Sequence, residues 1–307
     1  MPGLSATSSS AISTTSSADA TRGLLLGVAG VVMFALSLPM TRLAGGSAAA
    51  PQLDPAFVAF GRAAVAGLLS TVYLVLTGAR RPQRREWGAL LLTAGGVVFG
   101  WPLLSGYAVR HVDAVHAAVV SGVLPLATAV IGALVLRQRP SVGFWACALA
   151  GLALVLGFAA WRGAGGLVLA DALLLGAVVC ASAGYVSGAR LSNAMSAEQV
   201  ICWVLVLSLP VTLPLALWTR PVEPVAPAAW WGFAYVSLFS MWIGFFAWYR
   251  GLALGGTLRV SQVQVLQPFL SMLLAVPLLG ERLDGMTALF AAAVLAVVWV
   301  GKRQPVN

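Results

Sequence analysis

Arg62, His116, Gln264 and Gln267 are polar side chains set within long apolar runs. Polar and ionisable groups are costly in hydrocarbon, so such positions mark either function or helix-to-helix bonding. At helical spacing Ser261, Gln264, Gln267 and Ser271 fall within an arc of about 120°. They put amides and hydroxyls on one face. Ser121 and Thr128 do the same on an earlier run. Together these groups could hold a small polar solute by hydrogen bonds, or join neighbouring helices. Arg62 could pair with a solute carboxylate or cap backbone carbonyls. His116 could relay a proton or take a hydrogen-bonded packing role.

Aromatic residues add a second kind of surface. Trp242, Phe246 and Tyr249 follow one another at spacings of four and three, a single helical stripe with Phe245 and Trp248 beside it. Trp101, Tyr107 and Tyr185 could face that stripe and line a cavity for a flat, amphipathic solute. Trp87, Trp161, Trp218, Trp230, Trp231 and Trp299 instead lie near run ends, where tryptophan gathers at membrane interfaces. Pro125 and Pro268 each remove a backbone hydrogen bond and act as candidate hinges.

Other chemistries are poorly served. Asp113, Asp171, Glu198, Glu281 and Asp284 all sit at run ends, and no acid lies mid-run. That argues against a scheme built on one buried carboxylate, as in small four-helix multidrug exporters. It leaves facilitated, gradient-driven movement, or proton coupling through His116. With two histidines, no HExxH and no clustered acids, no catalytic or metal-binding set is expected, and no cofactor. Cys147, Cys180 and Cys202 lie inside apolar runs without CxxC spacing and read as buried thiols. Gly184-Tyr-Val-Ser187-Gly is too loose for a protease serine motif; Ser187 suits close helix packing. No filter loop or extramembrane ligand domain suggests a channel or receptor.

The elements that must position these groups follow from composition. Hydrophobic residues make up 60% of the 307 positions and charged ones 9%. A span needs roughly 20 apolar helical residues. The runs predict an all-α polytopic membrane protein with ten helices near 23–43, 56–77, 87–107, 113–136, 142–161, 168–190, 198–218, 229–250, 258–279 and 285–301. Residues 1–22, rich in Ser, Thr and Ala, read as a disordered tail, and 302–307 as a second tail. The net charge of +9 is explained by loop arginines, which makes nucleic acid an improbable partner. Placing both termini in the cytoplasm puts twelve basic residues inside, the Arg80–Arg85 cluster prominent among them, against five outside (Arg42, Arg110, Arg162, Arg220, Arg282).

The chain also aligns with itself. Sliding the sequence until Pro125 falls on Pro268 brings Ser121 onto Gln264, Thr128 onto Ser271 and Arg139 onto Arg282. Two five-helix repeats, 23–161 and 168–301, are therefore expected. An odd number of spans in each inserts them in opposite orientations, a recurring plan in secondary transporters.

Several segments resemble those of EamA-type transporters of the drug/metabolite transporter superfamily. They are Phe34-Ala-Leu-Ser37 leading to Arg42, Arg62 early in the second run, Pro268-x12-Glu281-Arg282 after Gly280, and its degenerate partner Pro125-x12-Gln138-Arg139. The likeness spans residues 23–301. The first repeat departs at Arg137-Gln138-Arg139, which puts its acidic helix-end contact in doubt. The resemblance implies a ten-helix exporter of amino acids or related metabolites in the bacterial inner membrane, working without ATP hydrolysis. The alternatives are proton-coupled efflux of drugs or organic cations and, less favoured, a membrane-embedded enzyme. Trp101, Ser121, Tyr185, Trp242, Phe246, Gln264, Gln267 and Ser271 are the expected substrate contacts. Pro125 and Pro268 are the expected hinges, and Arg62 and His116 the possible carboxylate or proton partners. The expected partners are a small-molecule solute and the lipid bilayer, with the chain monomeric.

Overall fold

The structure, a computed structural model, describes residues 17–135, 137, 139–163, 168–192, 194–255, 260 and 262–304. Eight helices are long and apolar enough to cross a membrane: α1 Ala18–Gly45, α2 Pro55–Leu76, α3 Arg84–His111, α4 Ala114–Val135, α5 Val142–Arg162, α6 Leu169–Leu191, α7 Glu198–Trp218 and α8 Pro227–Gly251. Two shorter apolar helices, α9 Val263–Leu279 and α10 Gly285–Gly301, complete a ten-helix, all-α bundle. Many large apolar side chains, among them Leu68, Val72, Leu91, Leu149, Leu213 and Leu289, stay exposed on the outside of the bundle, where lipid would solvate them.

The first helix starts earlier than expected. Residues 17–22, assigned from composition to a disordered tail, are already helical. Asp19 in the first turn complements the helix dipole, and the added turn lengthens the run. Ser261 and Gln138 lie outside the described residues.

Helix starts recur with the same offset that lays Pro125 on Pro268. By it Pro55, Arg84 and Val142 correspond to Glu198, Pro227 and Gly285. The caps correspond too: Ser141 accepts from the Phe144 amide at 3.2 Å, and Asp284 from the Thr287 amide at 2.8 Å. Packing pairs α2 with α7, α5 with α10, α3 with α6, and α1 with α8. Glycines let the last two pairs close. A methyl on Gly251 of α8 would come within 2.7 Å of the Gly27 amide of α1. Ser187 Oγ on α6 donates to the Ala89 carbonyl of α3 at 2.8 Å, so this serine does serve helix packing.

Five helices are irregular at mid-length. α1 breaks at Leu36 before restarting at Ser37; Pro39 in the new segment has no N–H to give the Ala35 carbonyl. α3 widens into a π-helical stretch over Ala94–Gly100, and α8 over Val236–Ile243. α4 divides into Ala114–Ser121 and Leu124–Val135. In the α9 run a 3-10 turn, Gln262–Leu266, precedes the α-helical Gln267–Leu279. Leu124 and Gln267, the two restart points, are equivalent positions of the repeat, each directly before its proline.

Among the described residues two large apolar clusters, and a smaller third around Leu53 and Val58, hold the bundle. One joins α4, α5, α6, α9 and α10 around Phe144, Phe158, Leu126 and Met272. The other joins α1, α2, α3, α7 and α8 around Val31, Leu90, Ile201 and Met241. Each draws on both sequence halves.

Candidate functional site

All five irregularities meet at one cavity. Its walls come from Phe34, Ser37 and Leu38 at the α1 break, Arg62 of α2, Val97 and Trp101 of α3, and Ser121, Leu124 and Pro125 of α4. Ala181 and Tyr185 of α6, Ser240, Met241 and Phe245 of α8, and Gln264, Gln267, Pro268 and Ser271 of the α9 run close it. The free volume is about 40 Å³, room for a few waters and less than an amino acid needs.

The irregular backbone exposes polar groups here. Pro125 cannot donate to the carbonyl of Ser121, nor Pro268 to that of Gln264, and both of those residues line the cavity. The Ser121 hydroxyl turns back onto its own helix, donating to the Ala117 carbonyl at 2.7 Å. Gln267 Oε1 and Ser271 Oγ are buried without a hydrogen-bond partner in the protein. Such orphaned groups are uncommon and mark places where water or a ligand is bound.

Arg62 is the charged member. It sits in the second turn of α2, a helix started by Pro55 and capped by the Asp54 side chain. Only 3% of the residue is exposed. One guanidinium nitrogen, Nη2, donates to Ser240 Oγ at 2.8 Å, and Ser240 Oγ lies 2.6 Å from Ser37 Oγ. The Nε donor has no partner. Among the described residues no carboxylate pairs with Arg62 or lines the cavity. The sequence singled out Arg62 and, within a family-like segment, Ser37, but gave no sign of Ser240 or of their meeting.

Of the expected contacts, Trp101, Ser121, Tyr185, Gln264, Gln267 and Ser271 converge on this cavity, with both prolines. Trp242 and Phe246 do not. Their rings are 5.2 Å apart, and Phe246 packs against Tyr73 of α2 at 5.0 Å. Met241 and Phe245, four residues apart, form the neighbouring stripe of the same helix, and that stripe faces the cavity while the Trp242–Phe246 stripe turns toward α2. Thr128 turns to α6, 3.2 Å from Ser182 Oγ.

His116 is also elsewhere. It is buried near the end of the bundle away from the two termini, with Nε2 2.7 Å from Asp171 Oδ1. Asp171 is 1% exposed although it stands in the first turn of α6. Being at a run end therefore did not put this acid in solvent. At the same distal end a broad mouth of about 850 Å³ is lined by Arg42, Asp113, Arg162, Glu281, Arg282 and Asp284 among others. Glu281 accepts from the Ala114 and Val115 amides, each at 2.8 Å, and so ties the end of α9 to the start of α4. Burial holds its carboxyl above the usual range, and the two amides offset this only in part. Arg42 donates to the Val109 carbonyl, and Arg162 bridges Asp113 at 3.5 Å and Asp284 at 3.2 Å.

Comparison with known proteins shows what this arrangement is shared with. The EamA-like transporter family matches residues 21–160 and, a second time, residues 168–300. The uncharacterized transporter YdeK of Bacillus subtilis (strain 168) is 44% identical over 285 residues, covering 92% of this chain and 98% of that protein. A solved crystal structure superposes with a TM-score of 0.62 over 92% of this chain and 98% of its own, at 19% identity, a likeness of fold alone.

Proposed function

Because the chain belongs to the EamA-like transporter family, we propose that it is a secondary transporter of small carboxylate-bearing metabolites, amino acids foremost, that works by alternating access. The observation that carries this reading is the buried, acid-free setting of Arg62 in the cavity. Unit charges about 4 Å apart attract by about 4 kcal/mol at an effective dielectric of about 20. A neutral hydrogen bond contributes about 1 kcal/mol net. A solute carboxylate is thus the group to which Arg62 has most to offer.

The rest of the wall suits an α-amino acid. Gln267 Oε1 and Ser271 Oγ are neutral acceptors for an ammonium group. Phe34, Trp101, Tyr185 and Phe245 supply apolar and aromatic surface, which favours aromatic side chains. Efflux of organic cations is disfavoured, since a cation would meet the guanidinium with no carboxylate to offset it.

Movement rests on the paired repeats. Five spans in each insert them in opposite senses, and their α4 and α9 runs bend at matching points beside the cavity. Loading an amino acid requires these segments to part, Pro125 and Pro268 serving as hinges. The loop arginines favour both termini in the cytoplasm, and the direction of export and the inner membrane follow the family resemblance.

Exchange in proteoliposomes tests the reading. L-phenylalanine and L-tryptophan should exchange, phenethylamine should not, and Arg62→Gln should abolish exchange while Arg62→Lys keeps part of it. Transport of phenethylamine at the rate of L-phenylalanine would remove the carboxylate from the argument.

A further inference from the structure

We propose that the His116–Asp171 pair is a proton-binding site through which this transporter draws on a proton gradient. The proposal rests on the transporter reading above but concerns a second site, outside the solute cavity. His116 is 4% exposed and Asp171 1%, yet both are ionisable. Asp171 Oδ2 also accepts the Val168 amide at 3.1 Å, and the His116 ring packs on Phe158 at 4.9 Å. A buried carboxylate with a neutral imidazole carries one net negative charge. Adding a proton makes the pair an imidazolium–carboxylate of zero net charge, so the pair can take and release a single proton in a low-dielectric place.

His116 can be reached from the distal face. A recess of about 300 Å³ at the distal end is lined by His111, Val112, Asp113, His116, Arg162, Gly163 and Val168. The hydrogen bond to Asp171 sets the neutral tautomer with hydrogen on Nε2, so Nδ1 takes the proton from water. The same proton returns to water on release, and no other reactant is needed. The charges around it are Asp113 and His111 just before α4, Arg162 on α5, and Asp171 on α6. Beyond them stand Glu281 at the end of α9, Asp284 at the start of α10 and Arg42 on α1. Arg162 is committed to Asp113 and Asp284, which leaves Asp171 as the one carboxylate His116 meets directly.

The site also has leverage. It fastens the first turn of α4 to the first turn of α6, next to the amides that Glu281 holds. The α4 segment it anchors runs straight to the break at Gly122–Val123 and Pro125, on the cavity wall. A change in the charge of the pair therefore acts on one of the two helices that must move to open the cavity.

The chain has two histidines, which makes a direct test possible. Protein labelled with 13C and 15N at histidine, reconstituted in lipid nanodiscs without solute, would be titrated by NMR, with His111→Asn to assign the signals. One resonance should titrate as His116, show the Nε2–H tautomer when neutral, and move its midpoint in Asp171→Asn. A His116 signal that stays in one state throughout the titration, or an unchanged midpoint in Asp171→Asn, would overturn the proposal whatever the solute is. In proteoliposomes, L-phenylalanine uptake should rise severalfold under an imposed pH gradient in the wild type. His116→Gln should lose that gain and keep solute exchange at equal pH on both sides. A variant that still responds to the gradient would overturn the coupling and leave the carboxylate reading standing.

Discussion

The first and second repeats share a skeleton and differ in chemistry. Three helix starts, one pair of N-caps and the restart points recur at one offset, yet side chains at other equivalent positions differ in character. Arg62 corresponds to Leu205, Leu124 to Gln267, and Ser121 to Gln264. Both Arg62 and Leu205 are buried, at 3% and 0% exposure, but only Arg62 faces the cavity with charge. The lesson is that bends are set by proline and backbone sterics, which tolerate many side chains, whereas recognition needs particular atoms at one place. One half brings the cation, and the other brings the amides.

The comparison breaks hardest at Leu205. Leu205→Arg should place a second buried guanidinium without an acid and cost about 3 kcal/mol or more, read as loss of folded protein in a detergent thermal-stability assay. Wild-type stability would show that the second half also accommodates a cation. Next in size, Gln267→Leu, which gives the second half the residue of the first, removes an orphaned acceptor of about 1 kcal/mol in binding. L-phenylalanine exchange should show KM raised about fivefold with membrane abundance unchanged. Pro268→Ala restores the donor to the Gln264 carbonyl and should slow exchange severalfold, with Pro125→Ala acting in the same direction. Normal turnover in both would remove the hinges.

Smallest is the pair of caps. Ser141→Ala and Asp284→Ala should each cost about 1 kcal/mol. Only the second is sensitive to pH. The Thr287 amide holds the Asp284 carboxyl below its usual range, so its share of stability is present at neutral pH and fades as pH falls through that lowered value. A thermal-stability profile of Asp284→Ala should therefore converge on the wild type in acid.

Much of the cavity's lining was legible in advance, and for a physical reason. Gln264, Gln267 and Ser271 are costly in an apolar run and share one helical face, and Pro125 and Pro268 carry their backbone effect wherever they stand. Trp242 and Phe246 fall outside the cavity because α8 carries two adjacent stripes, and only the packing of its π-helical stretch against α2 decided that Met241 and Phe245 face inward. Asp171 differs again. It stands at a run end, as read, and only the packing of α6 against α4 buried it beside His116.

Hydropathy, loop arginines and prolines were enough to determine the solvent of this chain, its ten helices, the repeat that relates its halves and where two of those helices bend. These are properties of contiguous residues and of the backbone, and they need no partner. Only the tertiary structure decided that Arg62 meets Ser240 and Ser37, that Glu281 seizes the first amides of α4, and that His116 is joined to Asp171. Each of those contacts joins residues far apart along the chain, and their meeting depends on how closely glycine-lined helices approach, which no local pattern encodes.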